Sequence, residues 1–257
     1  METVISKDGT SIAFDRIGEG PAVVLVSGGS VDRMSLAPLA QELASDFTVL
    51  NYDRRGRGPS GDTPPYAIER EVEDIEAVVD AAGGEAAIFG SSSGAVLAMF
   101  AAEAGVGIGK LAMWEPPYIP EGFPKPPPDQ VEQYETMVAE GRRGDAVEFF
   151  MARVVGMPAE FVAGARTQPW WGATEALAHT LAYDARIMGD YDIPIDRAAN
   201  VKVPSLVIAG GADMPFMRET AQALADALPD GQVRFLDGQG HNVDMTVLAP
   251  VLKEFLA

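Results

Sequence analysis

The chain has 257 residues, 47% of them hydrophobic, which is enough to bury a sizeable core. Its 38 acidic and 19 basic residues give a net charge of −19. A nucleic-acid partner is not expected, because neutralising phosphates requires clustered Lys and Arg, and an anionic membrane surface is disfavoured for the same reason. With no cysteine in the chain, disulfides, thiolate catalysis and Cys-ligated metal sites are excluded.

The first ten residues, METVISKDGT, are charged and reach a turn signal at once, without the apolar segment that a secretory signal needs. No run approaches the roughly 20 apolar residues of a membrane-spanning helix. We therefore expect a cytoplasmic protein without a membrane partner. The oligomeric state, a homodimer included, is left open.

The chain opens with a predicted β-hairpin over residues 1–18, turning at Asp8-Gly9, a strong tight-turn signal. Continuous apolar runs of strand length follow, and such runs are typical of strands buried on both faces. They cover residues 22–26, 47–52, 86–90, 110–114, 205–210 and 232–236.

Helical spacing of apolar residues lies between most of these runs, for example over residues 36–43 and 68–82, and again over residues 247–255 at the end of the chain. Strands that alternate with helices predict an α/β fold: a doubly wound, mostly parallel sheet with helices on both faces.

One region interrupts the alternation. Residues 115–130, EPPYIPEGFPKPPPDQ, contain seven prolines, too many for a regular element, and residues 129–190 are helical in composition. We interpret residues 116–199 as a helical cap inserted into the core, which comprises residues 1–115 and 200–257.

The stretch Gly90-Ser91-Ser92-Ser93-Gly94, here called the elbow, matches the pattern G-x-S-x-G and lies between a predicted strand and a predicted helix. In such a turn the central residue is strained and the glycines avoid clashes. The pattern therefore predicts Ser92 as a nucleophile, with Ser91 and the side chain of Ser93 as bystanders.

A serine nucleophile needs a base, and the chain has two histidines. His241 lies in the glycine-rich loop DGQGHNVD that follows the last strand. Active sites of α/β sheets form in loops at the carboxyl ends of the strands, so His241 is the predicted base. His179 lies in the helical pattern of the cap and is interpreted as a structural residue.

The imidazole in turn needs an acid. Asp213, in LVIAGGAD, follows a strand and gives the chain order Ser, Asp, His, so it is the preferred residue. Glu115 also follows a strand and can reach the same histidine from the neighbouring strand end. It is retained as the alternative, although the prolines after it point the chain away from the core.

Backbone N–H groups are expected to stabilise the oxyanion: that of Ser93, and that of Gly29 in the loop after the first core strand, with Ser30 as the alternative to Gly29. Trp114, Trp170 and Trp171 are candidates for an apolar substrate pocket. Aromatic residues in a helical cap more often form its own core, so this reading stays open as well.

The motifs VVLVSGGS, YDRRGRGPSG, GSSSG, VPSLVIAGGAD and GQGHNVD, in this order, resemble those of α/β-hydrolase-fold proteins, of the small cap-bearing serine esterase and perhydrolase-like type. Many relatives have histidine where this chain has Ser27 and Ser91. The resemblance implies acyl transfer to Ser92, a small-molecule substrate, and no metal or organic cofactor. It also implies that the segment Asp53 to Gly56 is architectural.

The resemblance leaves other activities open. A cofactor-free perhydrolase and a non-hydrolytic lyase or cyclase can use the same triad, and a ligand-binding protein can keep the fold while the triad is silent.

Overall fold

The apolar runs of the sequence lie side by side in one sheet. The computed structural model describes residues 1–212, 214 and 216–257. In this part of the chain the strands are β1 (Glu2–Ile5), β2 (Ser11–Ile17), β3 (Ala22–Val26), β4 (Thr48–Tyr52), β5 (Ala86–Ser91), β6 (Ile108–Trp114), β7 (Ser205–Ala209) and β8 (Gly231–Phe235).

The strand order is β1-β2-β4-β3-β5-β6-β7-β8. The predicted hairpin forms the antiparallel edge, since β1 pairs with β2 and β2 with β4 in that sense. Every other pairing is parallel. This mostly parallel sheet confirms the predicted fold class, and the crossovers bring the carboxyl ends of the parallel strands to one edge.

Helices cover both faces of the sheet. Those of the core are α1 (Ala37–Leu43), α2 (Ile68–Ala81), α3 (Ser93–Glu103), α10 (Phe216–Ala227) and α11 (Met245–Leu256). Those between β6 and β7 are α4 (Gln130–Ala139), α5 (Arg143–Phe149), α6 (Ala159–Ala165), α7 (Trp171–Ala176), α8 (Leu181–Met188) and α9 (Ile195–Ala198).

Successive side chains along a buried strand point to opposite faces of the sheet, so each strand contributes side chains to two hydrophobic cores. In β3, Val24 and Val26 join the core beneath α2, α3 and α10, while Val23 and Leu25 join the core beneath α1 and α11. The doubly wound arrangement follows from this, because a strand that is apolar on both sides requires helices on both faces.

The helices α4 to α8 share a third hydrophobic cluster of their own, which includes Tyr134, Val147, Trp171 and Leu181. A short π-helix, Phe150–Val154, and a 3₁₀-helix, Ala178–Thr180, lie among them. We keep the name cap for residues 116–199.

Among the described residues no helix combines the length and the apolar character that crossing a membrane requires.

Candidate active site

The elbow joins β5 to α3 through a strained residue. Ser92, between the last residue of β5 and the first of α3, has φ 57° and ψ −127°, a conformation that non-glycine residues rarely adopt. A Cβ on Gly90 would lie 2.4 Å from the Gly94 carbonyl oxygen, and a Cβ on Gly94 would lie 2.4 Å from the Ser27 carbonyl oxygen. Only glycine therefore fits at either position, and the half-buried Ser92 is held at the apex.

The loop that follows β3, residues 27–31, passes directly beside the elbow. A Cβ on Gly28 would lie 3.1 Å from the Cβ of Ser92. Ser93 is the first residue of α3, where backbone N–H groups have no partner within the helix. The two segments that carry the predicted oxyanion donors, Gly29 and Ser93, thus flank the serine, while the donor role itself stays a prediction.

The predicted base lies next to a carboxylate. His241 Nδ1 is 2.8 Å from Glu115 Oε2, and the other oxygen, Oε1, accepts hydrogen bonds of 3.0 Å from the N–H groups of both Gly210 and Gly211. Glu115 is 2% exposed, whereas the His241 side chain is 29% exposed. The alternative acid that the sequence left open is therefore in hydrogen-bonding contact with the predicted base.

The backbone explains how Glu115 reaches this position. Trp114, the last residue of β6, pairs with Ser91, the last residue of β5. Glu115 follows Trp114 directly, so it leaves the sheet beside the elbow. Its φ of 41° bends the chain at the sheet edge before the proline-rich segment begins. The Trp114 ring then donates from Nε1 to the His241 carbonyl oxygen, at 2.9 Å, which fixes the histidine loop against the end of β6.

The preferred acid, Asp213, lies outside the described residues. Its assignment to the triad stays a prediction.

The three tryptophans occupy different surroundings. Trp114 is fully buried in the sheet core, Trp171 is 7% exposed within the cap cluster, and Trp170 is 39% exposed. Trp170 stacks on Phe161 with ring centroids 6.4 Å apart. Core packing accounts for Trp114 and Trp171, in line with the alternative that the sequence kept open, and substrate contact at the three positions stays a prediction.

His179 lies at the junction of the cap with the core, in the 3₁₀-helix 178–180. Arg143 Nη2 is 2.8 Å from its Nδ1, and Asp62 Oδ2 is 3.8 Å from its Nε2. Burial, followed by the positive charge of Arg143, lowers the pKa of His179, so the ring is neutral at physiological pH. These contacts fit the structural role that the sequence predicted.

A buried ion network lies beside the elbow, formed by Arg54, Arg57, Glu71 and Asp184. Arg54 makes a bidentate pair with Glu71, at 2.7 and 2.8 Å, and donates from Nη1 to Asp184 Oδ1 at 2.8 Å. Arg57 Nη2 donates to both oxygens of Asp184, at 2.9 Å each. Asp184 comes from α8, so the network joins the cap to the core.

The opposite charges of Asp184 and Arg54 favour each other's ionised form. Burial alone would raise the pKa of the Asp184 carboxyl, but the charges of Arg57 and Arg54, with hydrogen bonds from Ser93 and Arg54, outweigh it and hold the pKa below its usual value. The Glu71 charge likewise supports the guanidinium of Arg54, whose pKa is raised despite its burial.

Sequence reasoning missed this network. The segment Asp53 to Gly56 is interpreted from the sequence as architectural, but nothing in it identifies the partner of Arg54, because Asp184 follows Arg54 by 130 residues. Three arginines within four residues, shortly after a buried strand, were the one local signal, since buried guanidinium groups require carboxylate partners.

No group of three or more His, Asp or Glu side chains within the described ranges is arranged to hold a metal ion.

Comparison with known proteins covers nearly the whole chain. Residues 23–251 match the profile of the alpha/beta hydrolase family. The crystal structure of an alpha/beta hydrolase from Sphaerobacter thermophilus DSM 20745 is 51% identical, with 100% of both chains covered and a TM-score of 0.92.

Two curated proteins are also similar. The pimeloyl-[acyl-carrier protein] methyl ester esterase of Xanthomonas campestris pv. campestris (strain B100) is 30% identical over 237 residues, which covers 89% of this chain and 90% of the esterase. The uncharacterized hydrolase YraK of Bacillus subtilis (strain 168) is 35% identical over 95 residues, and this match covers only 35% of either protein.

Proposed function

Because the chain belongs to the alpha/beta hydrolase family, we propose that it is a serine hydrolase that cleaves an ester-like bond in a small-molecule substrate. The observation that carries the proposal is Ser92, held at φ 57° between β5 and α3. Strain of this kind persists where the surrounding structure enforces it, and it clusters at active sites.

In the proposed mechanism Ser92 Oγ attacks the carbonyl carbon of the substrate while His241 takes the hydroxyl proton. The carbonyl oxygen becomes an oxyanion that accepts hydrogen bonds from the N–H groups of Gly29 and Ser93. His241 then protonates the leaving alcohol, and an acyl group remains on Ser92. Water, deprotonated by His241, attacks this acyl-enzyme, the bond between the acyl carbon and Ser92 Oγ breaks as His241 returns the proton to Oγ, and the carboxylic acid leaves.

The imidazolium that forms in each step needs a carboxylate at Nδ1. Glu115 lies 2.8 Å from that atom and is itself held by two backbone N–H groups, so it supports the charge and the orientation of the ring. Asp213 stays the predicted triad acid from its place in the chain order, and Glu115, which contacts Nδ1, stays the alternative. The similarity to a methyl ester esterase favours a carboxylic ester as the substrate class.

Labelling with a fluorophosphonate, followed by peptide mapping, tests this proposal. We expect the adduct on Ser92, loss of both labelling and ester turnover in Ser92→Ala, and retention of both in the matched control Ser91→Ala. An adduct on Ser91 or Ser93 would overturn the assignment of the nucleophile. A labelled protein without hydrolytic activity on a panel of aryl and methyl esters would overturn the reaction class while keeping the nucleophile.

A further inference from the structure

Arg57 connects the cap to the loop that carries a predicted oxyanion donor. Its Nη1 donates to the carbonyl oxygens of Gly28 and, at 3.1 Å, of Val31, while Nη2 holds the Asp184 carboxylate. The side chains of Arg57 and Asp184 are 1% and 9% exposed. The guanidinium is therefore fixed on one side by the cap and on the other by residues 27–31.

The bond to Gly28 acts on Gly29 through a single peptide unit. The carbonyl of Gly28 and the N–H of Gly29 belong to the same planar, trans peptide, so they point in opposite directions. A guanidinium that fixes the carbonyl oxygen also fixes the direction of the N–H. Because hydrogen bonds along a chain polarise one another, it makes that N–H a stronger donor as well.

The second predicted donor is tied to the same carboxylate. Ser93 Oγ donates to Asp184 Oδ1 at 2.8 Å and accepts from Arg54 Nη1 at 3.2 Å. A Cβ on Gly29 would lie 3.0 Å from Asp184 Oδ2, so this carboxylate lies against both donor segments. Ser93, a bystander as a nucleophile, is thus a partner of the ion network.

From these contacts we infer that Arg57 and Asp184 are positioning residues for the oxyanion hole, through which the cap sets the direction of the Gly29 and Ser93 N–H groups. The inference rests on the proposed serine hydrolase function. Neither side chain touches the reacting atoms. Because the oxyanion exists only in the transition state, their loss lowers kcat and leaves KM unchanged.

The decisive variant is Arg57→Lys, with Arg55→Lys as its matched control. Lysine keeps the charge but lacks the planar fork that holds two carbonyls and a carboxylate together. Arg55 is an equally buried arginine of the same loop, and its hydrogen bonds go to Asp74, Asp8 and the Arg70 carbonyl instead of to residues 27–31.

Removal of one oxyanion donor costs about 10²- to 10³-fold in kcat, so a donor that is misaligned should cost about 10- to 100-fold. We expect this loss in Arg57→Lys at unchanged KM. The inhibition constant of a trifluoromethyl ketone, which forms a tetrahedral oxyanion adduct, should rise by the same factor. In Arg55→Lys both quantities should stay within about twofold of wild type. Equal losses in the two variants, or a folded Arg57→Lys with wild-type kcat, would overturn the inference.

Asp184→Asn provides an independent test if Arg57→Lys does not fold, because it keeps the size of the side chain while removing the charge and one of the two acceptor oxygens. We expect kcat to fall about tenfold at unchanged KM, whereas a change in KM alone would contradict a role in the oxyanion hole. Where both variants fold, their effects on kcat should be less than additive, since they act on one network.

Fluorophosphonate labelling of the wild type separates this inference from the proposed function. Absence of a Ser92 adduct in the wild-type protein counts against the serine hydrolase. A normal adduct in the wild type, combined with normal kcat in folded Arg57→Lys and Asp184→Asn, counts against the positioning role alone.

Discussion

Two buried carboxylates lie near the elbow, and their surroundings differ. Glu115 is held mainly by backbone N–H groups, and its titratable partner among the described residues is His241, which is 29% exposed. Asp184 faces two guanidinium groups with exposures of 0% and 1%. Burial of a charge costs several kcal/mol unless it is paired. The first arrangement suits a partner that exchanges a proton, and the second suits opposite charges that stabilise one another.

The largest effect should come from the titratable side of this comparison. His241→Gln removes the only group we assign to proton transfer, so ester turnover should fall by about four orders of magnitude or more. His179→Gln is the matched control, because His179 is held by Arg143 at the junction of cap and core, and it should change kcat by less than about threefold. Steady-state kinetics on one short-chain aryl ester measures both. Comparable losses in the two variants would remove the distinction between the histidines.

The next largest effects concern the carboxylates that serve His241. Asp213→Asn should lower kcat by about 10³- to 10⁴-fold if Asp213 is the triad acid, by analogy with removal of a triad aspartate. Glu115→Gln should cost about 10- to 100-fold. In either orientation of the side-chain amide that Glu115→Gln introduces, its NH₂ group replaces an acceptor oxygen and faces a hydrogen-bond donor. That donor is the imidazole N–H on one side or the N–H groups of Gly210 and Gly211 on the other.

Kinetics of both single variants and of the double variant on the same ester measure these effects. The double variant should lose little more than Asp213→Asn, because residues that act on one imidazole are not additive. A near-wild-type Asp213→Asn beside an inactive Glu115→Gln would transfer the role of the triad acid to Glu115.

The Asp184 carboxylate should affect the stability of the fold and the way that this stability depends on pH. Asp184→Asn leaves two buried guanidinium groups short of a charge partner, so the free energy of unfolding should fall by about 3 kcal/mol at pH 7. The folded state lowers the pKa of Asp184, so this contribution is fully present above the unfolded pKa of about 4 and is lost as the pH falls through the folded pKa. The difference from wild type should therefore be constant from pH 7 to 5 and shrink below pH 4.

Urea unfolding at several pH values measures this difference. Asp74→Asn is the control, since Asp74 pairs with Arg55 in the same loop but burial raises its pKa. Its wild-type charge is disfavoured by folding, so the loss caused by Asp74→Asn should decrease as the pH rises above about 4, opposite to the trend at Asp184. The same pH trend in both variants would contradict the conclusion that folding favours the charged form of Asp184.

Short stretches of sequence were sufficient to predict the fold class and the strand-to-helix turn at the elbow. A strand buried on both faces is a short apolar run, and a tight strand-to-helix turn requires glycine, so β3, β5 and the elbow are visible in a few consecutive residues. The same applies to the break in alternation at residues 115–130, where prolines exclude regular structure.

Contacts between distant segments were not visible in this way. Proline after Glu115 indicated a chain leaving the core, but the positive φ at Glu115 itself decides where its carboxylate lies, and no residue type signals that angle here. Asp184 reads as an ordinary acidic residue of a helix until Arg54 and Arg57 are placed against it. Such pairings depend on how the cap docks, which periodicity along a helix does not specify.

The ion network also limits how this cap can be exchanged. To change the substrate range of an enzyme with an inserted cap, one would graft a foreign cap onto the existing core. Here the core contributes Arg54 and Arg57, and the cap contributes the Asp184 carboxylate that pairs with both. A chimera that replaces residues 116–199 therefore leaves the buried Arg57 without its carboxylate partner, and Arg54 with Glu71 alone, unless the graft brings an acidic side chain to the place of Asp184.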